Sequence, residues 1–246
     1  MTPPGGAVRG GGTWRAPWFA ALLGVALAIR VAAALTVDVA VGRQGRICVF
    51  PDTHLYLQAG RTLEREGILR GARGDRSQLA PGYPVLVATV SRAVRLLAPR
   101  AEDPLRASAL ALRILQAGLG TAAVACGMVL AASLGGRRAA FVAGVFLALW
   151  PHGIGYDALL LSESPAVFLL MLQLALLRGR SWDALTVRRA LLAGATGAVL
   201  VLTRPALLLP ALLPMVPLLA LRSPRGRLAA LAMLAGLTLG VAPWLI

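Results

Sequence analysis

The chain contains no lysine and no asparagine, and it has only two histidines and two cysteines. The two histidines, His54 and His152, are too few for a multi-histidine metal site. Cys126 lies within an apolar run and Cys48 in a polar loop, so a disulfide between them is not expected. The cysteine content therefore does not indicate a redox compartment.

Charge is also scarce, since charged residues make up 14% of the chain and hydrophobic residues 58%. With a mean hydropathy of +0.74, the chain has more apolar surface than a water-soluble domain of this length buries. A bilayer removes this constraint, because lipid contacts apolar side chains. The composition therefore predicts an integral membrane protein.

All 25 basic residues are arginine, and the formal net charge is +15. In a soluble protein such a charge would suggest a nucleic-acid partner. Here much of the arginine lies between apolar runs, where cytoplasmic loops carry positive charge, so no nucleic-acid partner is expected. The excess of arginine, alanine and glycine is typical of a GC-rich bacterial genome.

Seven apolar runs predict an all-α fold, a polytopic bundle of transmembrane helices. The first run, Trp18 to Val37, follows a Gly- and Pro-rich tail at 1–17 and is interrupted by Arg30. A cleaved secretory signal is the alternative, but the run is too long for one. The other six runs cover 107–134, 139–161, 165–177, 190–203, 205–221 and 228–246.

The breaks between these runs alternate in charge, which predicts the orientation of the chain. Clusters of arginine occupy 135–138, 178–189 and 222–227. The positive-inside rule places these breaks and the amino-terminal tail in the cytoplasm. We therefore expect a multi-pass protein of the bacterial inner (plasma) membrane, in which residues 38–106 form the first outer loop.

The first outer loop contains two segments with helical hydrophobic periodicity, Thr53 to Glu66 and Tyr83 to Leu97. In both segments apolar residues recur on one side and arginines lie off it. Two amphipathic helices of this kind are expected to lie along the membrane surface. A small globular loop is the alternative, although the loop is too short to bury much core.

Four ionisable residues lie near the predicted outer membrane face, beside or within apolar segments: Asp52, Asp157, Glu163 and Arg204. Such groups usually face a bundle interior or a water-filled cavity, but each has a structural interpretation as well. Asp52 is consistent with a helix N-cap, Glu163 with a cap of the next helix, and Arg204 with snorkelling to the interface. For Asp157, in an outer turn, a merely solvated carboxylate is the preferred interpretation.

Taken together, these four residues predict a lipid-facing site on the outer leaflet. Arginine binds phosphate through its planar donor fork. A carboxylate accepts a proton from a hydroxyl group, or it holds a divalent cation through its oxygens. A divalent cation is therefore a candidate cofactor, with no ligand set assigned.

Short sequence strings along the chain come in the order found in one known family. Two of them are an Asp that precedes a Tyr and an Ala, at 51–60, and a Pro-Gly-Tyr-Pro segment, at 81–88. The other strings are residues 113–117, Pro151 with Tyr156, residues 162–163, residues 202–205 and residues 243–244. Over about residues 18–246 the chain resembles the polytopic glycosyltransferases of the GT-C superfamily. The resemblance is to the branch that contains protein mannosyltransferases and aminoarabinose transferases (glycosyltransferase family 39 type).

The resemblance implies an enzyme that passes a hexose or pentose from a polyprenyl-phosphate donor to an acceptor at the outer membrane face. It implies that Asp52 is the catalytic carboxylate, and Glu163 is the second candidate. Tyr56 and Tyr83 lie in the matching strings and are candidate substrate-binding residues. Arg204 is a candidate for the donor phosphate on chemical grounds. The sugar and the acceptor stay open.

The chain departs from this family at two points. Members often carry a basic residue before the Pro-Gly-Tyr-Pro segment, where Leu79-Ala80 stands here, so the nearest cation, Arg76, is the candidate substrate contact. Members are also longer, so the chain is expected to be an amino-terminal portion that shows no transfer by itself. A transporter or lipid flippase, or a non-catalytic remnant, is the alternative. The sequence has no obvious internal repeat of the kind common in transporters.

Overall fold

The part of the chain that the computed structural model describes, residues 17–43, 51–70, 79–178, 185–220 and 223–245, is almost entirely helical. Within these ranges there is no β-strand, so the predicted all-α class is confirmed. The helices are α1 (Pro17–Arg43), α2 (Pro51–Glu66), α3 (Gly82–Leu97), α4 (Pro104–Leu149), α5 (Pro151–Ala158), α6 (Glu163–Leu177), α7 (Val187–Thr203), a 3₁₀ helix (Pro205–Leu207), α8 (Leu208–Leu212), α9 (Met215–Ala220) and α10 (Pro224–Leu245).

Three of the described helices are long and apolar enough to cross a membrane, as expected for a membrane protein. They are Pro17–Val37 of α1, the whole of α4, and Pro224–Trp244 of α10. The stretches Glu163–Leu177 and Pro205–Ala220 are also apolar, but they are shorter than the ~20 residues that a spanning helix requires. The described residues therefore do not confirm the predicted count of seven spans.

The long helix α4 is a helical hairpin. Its backbone leaves the helical region at Gly135 and Gly136, and the φ of Gly136 is 70°, a left-handed conformation that glycine adopts without a Cβ penalty. The two arms then pack on each other, since a Cβ on Gly144 would lie 2.9 Å from the Met128 sulfur. The break predicted at 135–138 is therefore confirmed.

Two of the predicted runs are interrupted at prolines. The run 139–161 is not one helix, because α4 ends at Leu149, Trp150 is extended and Pro151 begins α5. The α region is disfavoured for a residue that precedes proline. The run 205–221 divides in the same way into the 3₁₀ helix, α8 and α9, since each proline lacks the N–H that continues a helix.

Small residues bring α7 and α10 into close contact. A Cβ on Gly194 would overlap the Met233 carbonyl oxygen. A Cβ on Gly236 would overlap the carbonyl oxygen of Leu191. Backbones approach this closely only where side chains are absent, which is a common form of packing between helices in membranes.

The two amphipathic helices predicted in the first outer loop are confirmed as α2 and α3, each within two residues of the predicted limits. They pack on each other, and the Tyr56 and Tyr83 rings meet edge to face with centroids 4.8 Å apart. The start of α3 lies against the end of α7, because a Cβ on Gly82 would stand 2.6 Å from the Thr203 hydroxyl oxygen. Both helices therefore lie near the end of the bundle where α7 stops.

Candidate functional site

Three of the four ionisable residues selected from the sequence gather at one end of the helical bundle, whereas Asp52 is not among the residues that line the cavity there. Asp157 lies in α5, Glu163 begins α6, and Arg204 directly follows α7. Arg178 and Arg188 lie at the opposite ends of α6 and α7, roughly 20–25 Å away at the helical rise per residue. Acidic groups and arginine are thus placed together at one end, and among the described residues arginines mark the other end of these two helices.

A cavity of about 280 Å³ lies between these helix ends. The helices α6 and α7, whose ends border this cavity, have 15 and 17 residues, fewer than the ~20 of a typical spanning helix. Charged groups and apolar side chains share its wall. Its lining includes Arg30, Asp157, Glu163 and Arg204, together with Val124, Leu147, Val167, Met171 and Leu207.

Arg30 and Asp157 form a buried ion pair in the wall of this cavity. Arg30 Nε donates to Asp157 Oδ2 at 2.7 Å, and the two side chains are 3% and 5% exposed. Arg30 Nη1 donates to the carbonyls of Ala26 and Ala148 at 3.2 Å, and Nη2 to that of Leu147 at 3.0 Å. The last carbonyls of a helix lack intrahelical donors. Arg30 therefore caps α4 and fixes both α1 and α5 to it.

The Asp157 carboxylate lies directly against the backbone of α4. Its Oδ1 accepts a hydrogen bond of 2.5 Å from the Ser164 hydroxyl. A Cβ on Gly120 would overlap the carboxylate, so only glycine leaves room for it at this position. Asp157 thus connects α1, α4 and the first turn of α6 through one side chain.

Glu163 and Arg204 form a second ion pair, in a more exposed part of the cavity wall. Arg204 Nη1 donates to Glu163 Oε1 at 2.5 Å, and the side chains of Arg204 and Glu163 are 39% and 26% exposed. The hydrogen bond to Glu163 raises the pKa of the Arg204 guanidinium above its ordinary value. A permanent cation and a carboxylate are thereby within reach of one ligand.

The two tyrosines selected from the sequence lie close to each other but differ in access. Tyr56 is half-buried, and its hydroxyl lies 3.2 Å from Ser162 Oγ. Tyr83 is fully buried and donates to Gln116 Oε1 at 2.8 Å; burial raises the pKa of its phenol well above the ordinary value. Gln116 Nε2 donates in turn to the Leu159 carbonyl at 2.7 Å. Tyr83 therefore supports the turn before α6, and substrate binding by Tyr56 and Tyr83 stays a prediction.

Asp52 lies in the first turn of α2 with an exposed side chain. Because α2 begins at Pro51, Asp52 is inside the helix and not at its N-cap position. It precedes Tyr56 by four residues, so the two side chains share one face of α2. Arg76 lies outside the described residues. Among the described residues no group of three or more His, Cys, Asp or Glu side chains is placed to hold a metal ion.

The preferred interpretation of Asp157 as a solvated carboxylate is wrong, because its residue is 4% exposed and it pairs with Arg30. The sequence does contain a signal for this pair, since a charge inside an apolar run usually has a partner. Gln116, which is fully buried in α4, is an uncharged polar residue inside an apolar run and therefore indicates a buried partner less strongly. The sequence gives no indication that Ser164 has a buried partner, because a hydroxyl at the start of a helix is common.

This end of the bundle combines a planar cation, an adjacent carboxylate and an apolar wall, which suits an amphipathic ligand that carries phosphate. A search for similar proteins found no matching family model, no matching curated protein and no matching solved structure.

Proposed function

We propose that the chain functions within a membrane glycosyltransferase, which transfers a hexose or pentose from a polyprenyl-phosphate-linked donor to an acceptor at the outer membrane face. The observation that carries this proposal is the Glu163–Arg204 pair in the wall of a partly apolar cavity. A polyprenyl chain stays in the bilayer while its phosphate reaches such a cavity from the side. The strings that resemble the GT-C superfamily include Asp52, Glu163 and Arg204 and support the same activity.

In the proposed reaction the oxygen of an acceptor hydroxyl forms a bond to the anomeric carbon of the sugar. The bond between that carbon and the donor phosphate oxygen breaks, and the phosphate leaves on its polyprenyl chain. Arg204 binds the phosphate and stabilises the negative charge that develops on it. Asp52 is the proposed base that accepts the hydroxyl proton. Glu163, released when phosphate takes its place beside Arg204, is the second candidate for this role.

The distribution of arginine supports an outer location for the site. The Arg137 guanidinium lies 5.5 Å from the centre of the Trp18 ring, so the turn at 135–138 lies beside the start of α1. Arg189 donates to the Arg178 carbonyl at the ends of α6 and α7 that are distant from the site. The positive-inside rule favours the cytoplasm for these arginine-rich ends. The proposal therefore includes a cytoplasmic amino terminus and an outer site in the inner membrane.

Binding of polyprenyl monophosphate, compared with a polyprenol of the same length, tests phosphate recognition. With the purified chain in nanodiscs, we expect binding that requires the phosphate and that Arg204→Ala removes. Arg204→Lys should weaken binding about tenfold, because lysine keeps the charge but lacks the bidentate fork. Arg92→Ala on the exposed face of α3 is the control and should leave binding unchanged. Equal affinity of the wild type, Arg204→Lys and Arg204→Ala would contradict the proposal.

Transfer is tested separately, in cells whose chromosomal gene carries the variant. Glu163→Gln should retain binding of polyprenyl monophosphate, because Arg204 stays in place, and should lower the release of sugar from hexosyl or pentosyl polyprenyl-phosphate donors. The flippase alternative makes a different prediction. Movement of a fluorescent polyprenyl phosphate across vesicles, without any sugar transfer and without sensitivity to Glu163→Gln, would support the flippase and contradict the transferase.

A further inference from the structure

A second cavity, of about 360 Å³, lies between α2, α3 and the start of α4. It shares no lining residue with the cavity around Glu163 and Arg204. Five ionisable side chains line it, together with two serines and an apolar floor. The ionisable residues are Arg61, Glu64, Arg65, Arg95 and Asp103.

The acidic side chains of this cavity already have partners. Glu64, whose side chain is 7% exposed, forms an ion pair with Arg95. Asp103 caps α4, and its Oδ1 accepts from the backbone N–H groups of Leu105 and Arg106 at 3.0 and 3.1 Å. The Glu64 charge is therefore matched by Arg95, and Asp103 is held at the amino end of α4.

Arg61 and Arg65 lie on the same face of α2, four residues apart. Within the part of the chain that the structure describes, neither has an acidic partner. Two guanidinium groups in one cavity, neither of them in an ion pair, favour an anion that brings more than one acceptor oxygen. A phosphate group has this shape and charge.

The floor of the cavity is apolar, which favours a lipid over a small anion as the ligand. Leu57, Val87 and Leu112 are each no more than 7% exposed and form its floor. At the end of α3, Leu96 and Leu97 are 73% and 85% exposed, and large apolar side chains on an amphipathic helix insert into the membrane interface. An apolar floor beside two arginines that are in no ion pair fits a ligand in which a phosphate headgroup is joined to acyl chains.

We propose that this cavity binds the headgroup phosphate of an anionic membrane phospholipid, with Arg61 and Arg65 as the phosphate ligands. The site differs in position and in residues from the sugar-transfer site. Its lipid anchors α2 and α3 to the membrane surface, through electrostatic attraction and apolar contact together. The inference does not depend on sugar transfer.

Native mass spectrometry of the purified chain with phosphatidylglycerol, compared with phosphatidylcholine, tests this inference. The wild type should bind phosphatidylglycerol more tightly. The double variant Arg61→Gln with Arg65→Gln should bind it roughly thirtyfold less tightly, since each arginine near the surface contributes roughly a fivefold factor. The control double variant Arg92→Gln with Arg100→Gln removes the same charge from exposed positions outside the lining and should change the affinity little.

Glu64→Gln is a second variant with the opposite expectation. It keeps the size of the side chain but releases Arg95, which adds a third free cation to the cavity. Binding of phosphatidylglycerol should therefore become roughly fivefold tighter. A gain of binding cannot result from loss of the fold, so this variant keeps the inference falsifiable if the arginine variants unfold.

Three outcomes would overturn the inference. The first is an equal loss of phosphatidylglycerol binding in both arginine double variants, which would reduce the effect to overall charge. The second is unchanged or weaker binding in Glu64→Gln with an unchanged melting temperature. The third is full displacement of the lipid by excess inorganic phosphate, which would show that the cavity recognises the free anion and gains nothing from the acyl chains.

Discussion

Replacement of Asp157 by asparagine is expected to destabilise the helical bundle by about 3–5 kcal/mol, the usual cost of removing one partner from a buried ion pair. Asparagine has nearly the same shape and keeps a hydrogen bond to Ser164. It removes the negative charge, however, and Arg30 is then a 3% exposed cation with only carbonyl partners. A neutral hydrogen bond between helices in a membrane is worth only about 0.6 kcal/mol on average. The buried charge therefore dominates the expected loss.

Equilibrium unfolding by SDS in mixed micelles measures this loss as a change in the free energy of unfolding. Glu163→Gln is the matched control, because it breaks an ion pair whose side chains are 39% and 26% exposed. Such pairs contribute about 0–1 kcal/mol. The double variant Arg30→Met with Asp157→Asn should lose less than the sum of the single losses, since contacting residues couple by roughly 0.5–3 kcal/mol.

Two results would refute this reasoning. A loss below about 1 kcal/mol in Asp157→Asn, equal to that of Glu163→Gln, would mean that water reaches Arg30 and screens its charge. Strict additivity of Arg30→Met and Asp157→Asn would mean that the two side chains do not depend on each other. In either case the capping of α4 by Arg30 would not require its acidic partner.

Three further predictions follow from the same geometry. Asp52→Asn in the chromosomal gene should lower transfer about a hundredfold, the usual scale for a general base, with unchanged melting temperature because Asp52 is exposed; near-normal transfer would shift the search to Glu163. Gly194→Ala should destabilise the protein by about 1–3 kcal/mol in SDS unfolding, since its Cβ would overlap the Met233 carbonyl oxygen. On intact cells an impermeant thiol reagent should label a single cysteine at position 100 but not one at 137; labelling at 137 would overturn the proposed orientation.

Two substitutions serve as matched controls. No atom lies within 4 Å of a Cβ on Gly118, so Gly118→Ala should stabilise α4 slightly through its higher helix propensity. A loss of stability there as large as in Gly194→Ala would show that the method does not report packing. Glu102→Gln removes an exposed carboxylate outside both cavities and should leave transfer unchanged.

Local patterns in the sequence were sufficient for α2 and α3. Each was predicted within two residues of its limits, because the spacing of apolar residues along 16 positions already determines which face of a helix is buried. The turn at Gly136 was predictable for a similar reason. Two glycines followed by two arginines interrupt an apolar run, and the left-handed backbone there requires no distant contact.

The number of spans was not determined by the same patterns. Apolar residues indicate that a stretch is removed from water, but they do not indicate where a helix must end inside it. At Pro151 and in the run 205–221, prolines shorten the helices. The run 139–161 therefore becomes the second arm of α4 followed by the short helix α5, whose Asp157 lines the cavity.

By itself the sequence determined that this is a helical, apolar chain. It also determined that one set of helix ends carries clusters of arginine and that the other carries both carboxylates and an arginine, because composition, periodicity and charge are local properties. Only the tertiary structure decided the partners of those groups. Arg30 and Asp157 are 127 positions apart, and no local pattern states that α1 and α5 meet at the end of α4. The same carboxylate would be solvated in an open turn. It becomes the centre of a buried ion pair because Gly120 admits it against α4 and because α1 brings a guanidinium within 2.7 Å.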